Sequence, residues 1–404
     1  MVLGKRRPMV VVGIMAISAM TLTACGGASL GGSSATNGSD KSAPIKVGLI
    51  VAQSGVYADI GADMEHGFEL YLAQHNNKLG DRKVELTTVD EGDNPQVGVA
   101  AATRLVNQEQ VDVAVGVVSG ATAAGSAPIF TAAKIPIVFG NSGSLALGDK
   151  LASPFVYRAN YANDQPGAVI GAYLKKKLSS GEKVFLIGPD YSGGHEILEG
   201  FKNQFPAGQI AGELYPPFAK TSDYSPYLAK IQQSGAKNVF AFFAGSEAIN
   251  FTKQFDQFGL ASSVHLYATG DLTEGDALGA ESASAQGIQT VLNYNFDIDT
   301  SVNKKFVPAF EKKYKEHPTV RAAVLYDIAI MLDKAVASIS GDVSGQAIAD
   351  ALAKSGEVQG VRGAIKFNDN RTIVQNWYLR EVKKVDGDLT NVLVEKMPSD
   401  FLYK

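Results

Sequence analysis

The sequence predicts an α/β fold in which helices cover parallel sheets, arranged as two successive units of about one domain each. Three observations carry this. Short β-rich runs alternate with helix-period segments from residue 45 to 290, joined by short loops. The run VDVAVGVV at 111–118 is almost continuously apolar, as a strand covered on both faces requires. The chain has 404 residues, of which 45% are hydrophobic and 19% charged, so it can build a full core and is not a disordered polymer.

The first forty residues read as something other than the folded body. Lys5, Arg6 and Arg7 precede an apolar run, MVVVGIMAISAM, which is too short for a comfortable membrane span and has the pattern of an export signal. The chain's single cysteine, Cys25, stands where that run ends, in Leu22-Thr23-Ala24-Cys25. This tetrapeptide resembles the bacterial lipobox, which implies cleavage after residue 24 and lipidation of Cys25. Loss of residues 1–24 removes three positive charges and no acidic ones, making the balance more negative than the whole chain's −4. Residues 25–43 then form a Gly/Ser-rich flexible tether.

The body follows in order. Ile45–Val51 is a strand, and a helix with Ile60, Met64, Phe68, Tyr71 and Leu72 on one face comes next. Val84–Val89 is a strand. Asp93-Asn94-Pro95 supplies an N-cap and an N1 proline for a helix through Asn107. After the 111–118 strand, Ser119-Gly120 breaks the run and an Ala-rich helix extends to Ala133, before a strand at Ile135–Phe139. The second unit repeats the rhythm. Helices at 163–178, 194–205, 224–233 and 247–258 alternate with strands at 183–188, 209–215, 238–243 and 264–268. Beyond residue 300 the pattern changes. Helices at 302–314 and 320–337 are followed by strands at 363–368, 377–383 and 391–396, too few for a third domain. The helix at 320–337 is apolar nearly all round and should be buried.

Composition excludes several functions. With 37 Lys+Arg against 41 Asp+Glu there is no general basic character for nucleic acid. One cysteine excludes an internal disulfide and a Cys-cluster metal site. The five histidines, at 66, 75, 195, 265 and 317, have no H-x3-H spacing, so no zinc centre and no cofactor is expected. No G-x-S-x-G or phosphate-binding G-x-x-x-x-G-K-[ST] occurs, and an enzyme is not expected.

A set of segments in a fixed order gives the chain a family likeness: IKVGLIVAQSGVYADIGADMEHGFELYLAQHN, VDVAVGVVSGATAAGSAPIFTAAKIPIVF, VFLIGPDYSGGHEILEGF, TSDYSPYLAKIQQSGAKNVFAFFAG, TKQFDQFGL and VLYDIAIMLDKAV. Together they resemble type I periplasmic-type solute-binding proteins of ABC importers, in the Leu/Ile/Val-binding family. The resemblance covers nearly everything after residue 44. It implies two Rossmann-like lobes with parallel sheets, residues 44–160 with 296–365 and residues 161–295 with 366–404, joined by a three-strand hinge. The crossovers fall near 158–162, 290–296 and 362–370. It also implies a small-molecule ligand, permease and ATPase partners, and an exported protein held at the outer face of the cell membrane by Cys25.

Ligands of open α/β sheets bind beyond the carboxyl ends of strands. Ser119-Gly120-Ala121-Thr122 ends a strand and opens a helix, so free N–H groups and the Ser119 hydroxyl suit a carboxylate there. The resemblance makes Ser119 a ligand residue, with Gly120 and Thr122 beside it. A plain helix cap accounts for the same serine. Ser142-Gly143-Ser144 ends the next strand, where the family touches both carboxylate and ammonium. Asp271 aligns with a family acid that neutralises an α-ammonium. Tyr57 stands where the family has an aromatic cover, and Tyr191 lies in D-Y-S-G-G where the family often reads D-Y-A-Y-G. Gly193 in place of the second tyrosine should open space for a larger or aromatic ligand. Phe243-Ala244-Gly245 and Tyr326 are further candidates. The ligand expected is an amino acid, of branched-chain type as the family default, with aromatic carboxylates and small amides as runners-up. A ligand sensor feeding a signalling partner and a sugar binder are readings of other kinds.

Overall fold

A computed structural model gives the structure of residues 43–403. Cys25, the export signal and most of the tether therefore lie outside the described residues. No helix among the described residues is long and apolar enough to cross a membrane.

The first sheet contains β1 (Ile45–Val51), β2 (Lys78–Leu79), β3 (Arg82–Asp90), β4 (Val113–Gly116), β5 (Ile137–Phe139) and β6 (Val156–Arg158), in the order β2-β3-β1-β4-β5-β6. All neighbours run parallel except the β2–β3 hairpin. The crossover helices are α1 (Ala58–Gln74), α2 (Pro95–Arg104) and α3 (Gly120–Ala133). Local chemistry explains their bounds. Met64, Phe68, Tyr71 and Leu72 of α1 are buried, the face the helical period marks. The Asn94 side chain accepts from the N–H groups of Gln96 and Val97, and Pro95 fills the first turn of α2. The helix then widens into a π turn at Leu105–Glu109 and stops at Gln110, which is left-handed.

The second sheet takes β7 (Val184–Ile187), β8 (Ile210–Leu214), β9 (Asn238–Ala241), β10 (His265–Thr269) and β11 (Gln289–Leu292). Its helices are α4 (Asp164–Lys177), α5 (Ser192–Gln204), α6 (Ser225–Ser234), α7 (Ser246–Gln257) and α8 (Asp276–Glu281). The chain then returns to the first lobe with α9 (Asn303–Tyr314), α10 (Val320–Ala337) and α11 (Gly345–Lys354). As its composition requires, α10 is buried almost all round. A small antiparallel sheet follows, of β12 (Val358–Gly360), β13 (Gly363–Phe367) and β14 (Ile373–Val374). The last pair, β15 (Trp377–Val385) and β16 (Asp388–Met397), is antiparallel and closes the edge of the second sheet, order β16-β15-β11-β10-β9-β7-β8.

The molecule is thus an α/β protein of two lobes. The chain passes between them after β6, after β11 and after β14. The last crossing, at Gln375–Asn376, lies beyond the expected 362–370, because residues 371–372 first pair with Arg158 at the edge of the first sheet. Buried side chains stitch the three crossovers together. Asn293 Nδ2 donates to Asn160 Oδ1 at 3.1 Å and to Gln375 Oε1 at 2.9 Å, and Gln375 Nε2 donates to the Asn160 carbonyl. Arg362 reaches the Ala159 carbonyl and Gln375, and Asp327 of α10 holds its Nε at 2.8 Å. The Asn293 amide thus bonds residues of both other crossovers, so the hinge is a hydrogen-bonded polar core rather than loose chain.

Candidate functional site in the cleft between the lobes

Between the carboxyl ends of the two sheets lies a cleft of about 1070 Å³. The first lobe contributes Tyr57, Ser119, Ala121, Thr122 and Arg321 to its wall, and the second contributes Ala244, Gly245, Asp271 and Glu274. Each sits just past a strand or at a helix start. Ser119 is the N-cap of α3, Gly245 precedes α7 with a φ of 58°, and Asp271 follows β10.

The lobes touch at the N-terminus of α10. There Thr319 caps the helix, accepting from the Arg321 N–H at 3.1 Å. Glu274 of the second lobe accepts from the first helical N–H, Val320, at 2.8 Å, and from Arg380 at 2.6 Å. The Thr319 and Glu274 contacts to Arg321 N and Val320 N satisfy groups that a helix start leaves open. One residue on, Arg321 Nη2 donates to Asp271 Oδ1 across the cleft, and the Tyr161 hydroxyl from the hinge donates to Asp271 Oδ2 at 3.2 Å. Arg321 is only 4% exposed, yet its Nε and Nη1 have no hydrogen-bond partner. A buried guanidinium carries five donors, so this one, a residue of the cleft lining, has N–H groups to spare.

The family model for periplasmic binding proteins matches residues 44–388 of the chain. The chain belongs to the periplasmic binding protein family. A relative named Leu/Ile/Val-binding protein homolog 6, from Brucella melitensis biotype 1, is 32% identical over 353 residues, which is 85% of this chain and 88% of the relative. A solute-binding protein of an ABC transporter from R. palustris, solved in complex with benzoate, is 31% identical with a TM-score of 0.80, covering 89% of this chain and 98% of that one. Another, from Rhodopseudomonas palustris HaA2 and in complex with p-hydroxybenzoic acid, is 30% identical with a TM-score of 0.82, over 89% and 99% of the two chains. This periplasmic binding protein is accordingly an extracytoplasmic solute-binding component of an ABC transporter, not an enzyme, and its partners are a small-molecule ligand and the transporter's permease.

Of the residues expected in the site, Ser119, Thr122, Tyr57 and Asp271 all reach the cleft wall. The donors at the start of α3 are arranged differently from the expectation. The buried Glu91 carboxylate already accepts from the N–H groups of Val118 and Ser119, both at 2.7 Å. Burial raises the Glu91 pKa, and those two donors hold it down. The Ser119 hydroxyl accepts from Thr122 N at 3.4 Å, the capping role. The N–H groups of Gly120 and Ala121 lie in the first turn and have no partner within the helix. Ser142, Gly143 and Ser144 are buried behind Gly120. A Cβ on Gly120 would stand 3.8 Å from the Ser142 hydroxyl, and Gly143 is pressed against Asn163 of the hinge segment. These three do not line the cleft.

Asp271 is in place, but both its oxygens are engaged, by Arg321 and Tyr161, so it is already matched by a cation. Tyr191 sits behind the wall with its ring 4.6 Å from Phe218. Burial pushes its phenol up, and so do nearby Tyr57 and Asp271. The space expected at Gly193 is filled: a Cβ there would lie 2.6 Å from the Tyr191 ring. The glycine accommodates the neighbouring tyrosine instead of opening the pocket. Ala244 and Gly245 line the cleft, whereas Phe243 is core, and Tyr326 bonds Gln74 at 2.6 Å away from the ligand. Arg321, Glu91 and Tyr161 escaped the sequence reading. Only Arg321 had a usable signal, as a cation on a helix otherwise apolar enough to be buried.

Proposed function

We propose that this protein captures a small monocarboxylate solute between its lobes and hands it to an ABC importer, held to the outer membrane face by a lipid on Cys25. The observation that carries the ligand class is Arg321. Its buried guanidinium lies on the cleft wall with Nε and Nη1 unpartnered, and an anion there gains charge-assisted hydrogen bonds in a desolvated site. Two ligand classes present such a carboxylate. A branched-chain amino acid accords with the names of the Leu/Ile/Val-binding relatives. It also requires an acceptor for its ammonium, and Asp271 is committed to Arg321 and Tyr161. An aromatic carboxylate needs only the donors and an apolar wall, and accords with the benzoate-type ligands of the two R. palustris structures. The geometry favours the aromatic carboxylate.

A thermal-shift panel of amino acids, benzoates, short amides and sugars separates the classes. A solute at a hundred times its Kd adds about 2.7 kcal/mol, a shift of a few degrees. Benzoates are expected to stabilise the protein, and Asp271→Asn, which frees Arg321 from its counter-charge, should preserve or strengthen that effect. An amino-acid hit abolished by Asp271→Asn would instead assign the aspartate to an ammonium.

A further inference from the structure

Away from Arg321, the cleft mouth carries a second group of polar side chains with no role in holding a carboxylate. Asp63 and His66 are three residues apart on α1 and so share a helix face. Glu316 comes from the turn between α9 and α10. One ligand-type atom from each of the three lies within 4.8 Å of the other two. His66 Nδ1 is 3.7 Å from Glu316 Oε1 and has no hydrogen-bond partner, although that atom is buried.

The surroundings fix these side chains from behind. The His66 ring stacks on Tyr314 at 3.9 Å and meets Phe310 edge-on. The Thr319 hydroxyl donates to Asp63 Oδ2 at 2.8 Å. Among the described residues, neither Asp63 nor Glu316 has a Lys or Arg within ion-pair distance. Two acidic side chains and one imidazole thus converge with no Lys or Arg paired to either acid.

We infer that Asp63, His66 and Glu316 form a binding site for a divalent cation of the zinc type at the mouth of the cleft. One nitrogen and two carboxylate oxygens are ligand atoms that zinc accepts, and three is the number of protein ligands an open zinc site uses. Tetrahedral zinc with bonds of about 2.0–2.1 Å separates its ligands by about 3.3 Å, so small rotations of the side chains complete the set. Tyr314 and Thr319 act as the outer partners that orient such ligands. The ion's remaining position opens to the cleft, whose facing wall includes Asp276 of the second lobe.

The test is a calorimetric titration of the metal-stripped full chain with zinc chloride. One ion per chain is expected at micromolar Kd or tighter. His66→Gln and Glu316→Gln should each weaken binding at least tenfold, while His195→Gln, in the second lobe and ion-paired to Asp190, should leave it unchanged. Glu316 is 45% exposed, so its variant keeps the fold and the test stands even if His66→Gln does not. No binding by the wild type, or binding that survives both substitutions, overturns the site.

Discussion

Arg321 shows what a single buried charge can decide. Desolvating a guanidinium is costly unless it is paired, and its pair here, Asp271, belongs to the other lobe. The same contact that joins the lobes leaves donors for an anion. A second buried ionisable group, Glu281, has a different character. It is 1% exposed and neither carboxylate oxygen has a partner, and burial raises its pKa to about 8. Its effect on stability has a definite sign. Below the ordinary carboxylate pKa of 4.5 the acid is neutral folded and unfolded, and its ionisation plays no part in stability. As pH rises the unfolded chain ionises while the fold keeps its proton, and stability falls until the folded group itself ionises at about 8. Thermal unfolding of Glu281→Gln should therefore match the wild type near pH 4 and exceed it by several degrees above pH 8. A constant difference across that range would show that Glu281 is not the titrating group.

At the level of elements, one close junction is α1 on α10. Gly67 lets the helices approach so closely that a Cβ would lie 2.1 Å from the Ala322 carbonyl oxygen. Alanine in a helix gains about 1 kcal/mol over glycine, but overpacking a buried contact costs about 1–3 kcal/mol, and here the obstacle is backbone. Gly67→Ala should lower stability by about 2 kcal/mol in a urea titration. Gly279→Ala in α8, where a Cβ meets nothing within 4 Å, should be neutral or stabilising. Most elements were legible in the sequence for simple reasons. The 3.6-residue period of α1, the Asn94-Pro95 start of α2 and the unbroken apolar run at β4 each reflect a local demand. What escaped was short or weakly patterned: β6 and β12 have three residues each, too few for a period. The α11 helix had its signals, a Ser344 cap and Ile348 and Leu352 one turn apart, inside a polar stretch that masks them.

Across the whole molecule, the two-lobed plan and the strand ends that line the cleft follow from the alternation of strands and helices. The site's electrostatics do not. Asp271 could be placed on the wall from its position after β10, but its partner Arg321 lies fifty residues on, in the other lobe. Likewise, Glu91 occupies the donors at Val118 and Ser119 from the end of β3, a contact only the folded sheet creates. Closure follows the same logic. A solute that bonds Arg321 on one lobe and packs on the other favours the state in which both are near, and the polar core of Asn160, Asn293 and Gln375 defines the axis. The account therefore rests on a carboxylate meeting Arg321. Calorimetric titration of the wild type and Arg321→Gln, using the solute that the panel selects, tests it most directly. Retained folding with affinity at least a hundredfold weaker is the predicted result, and equal affinity in the two proteins would contradict it.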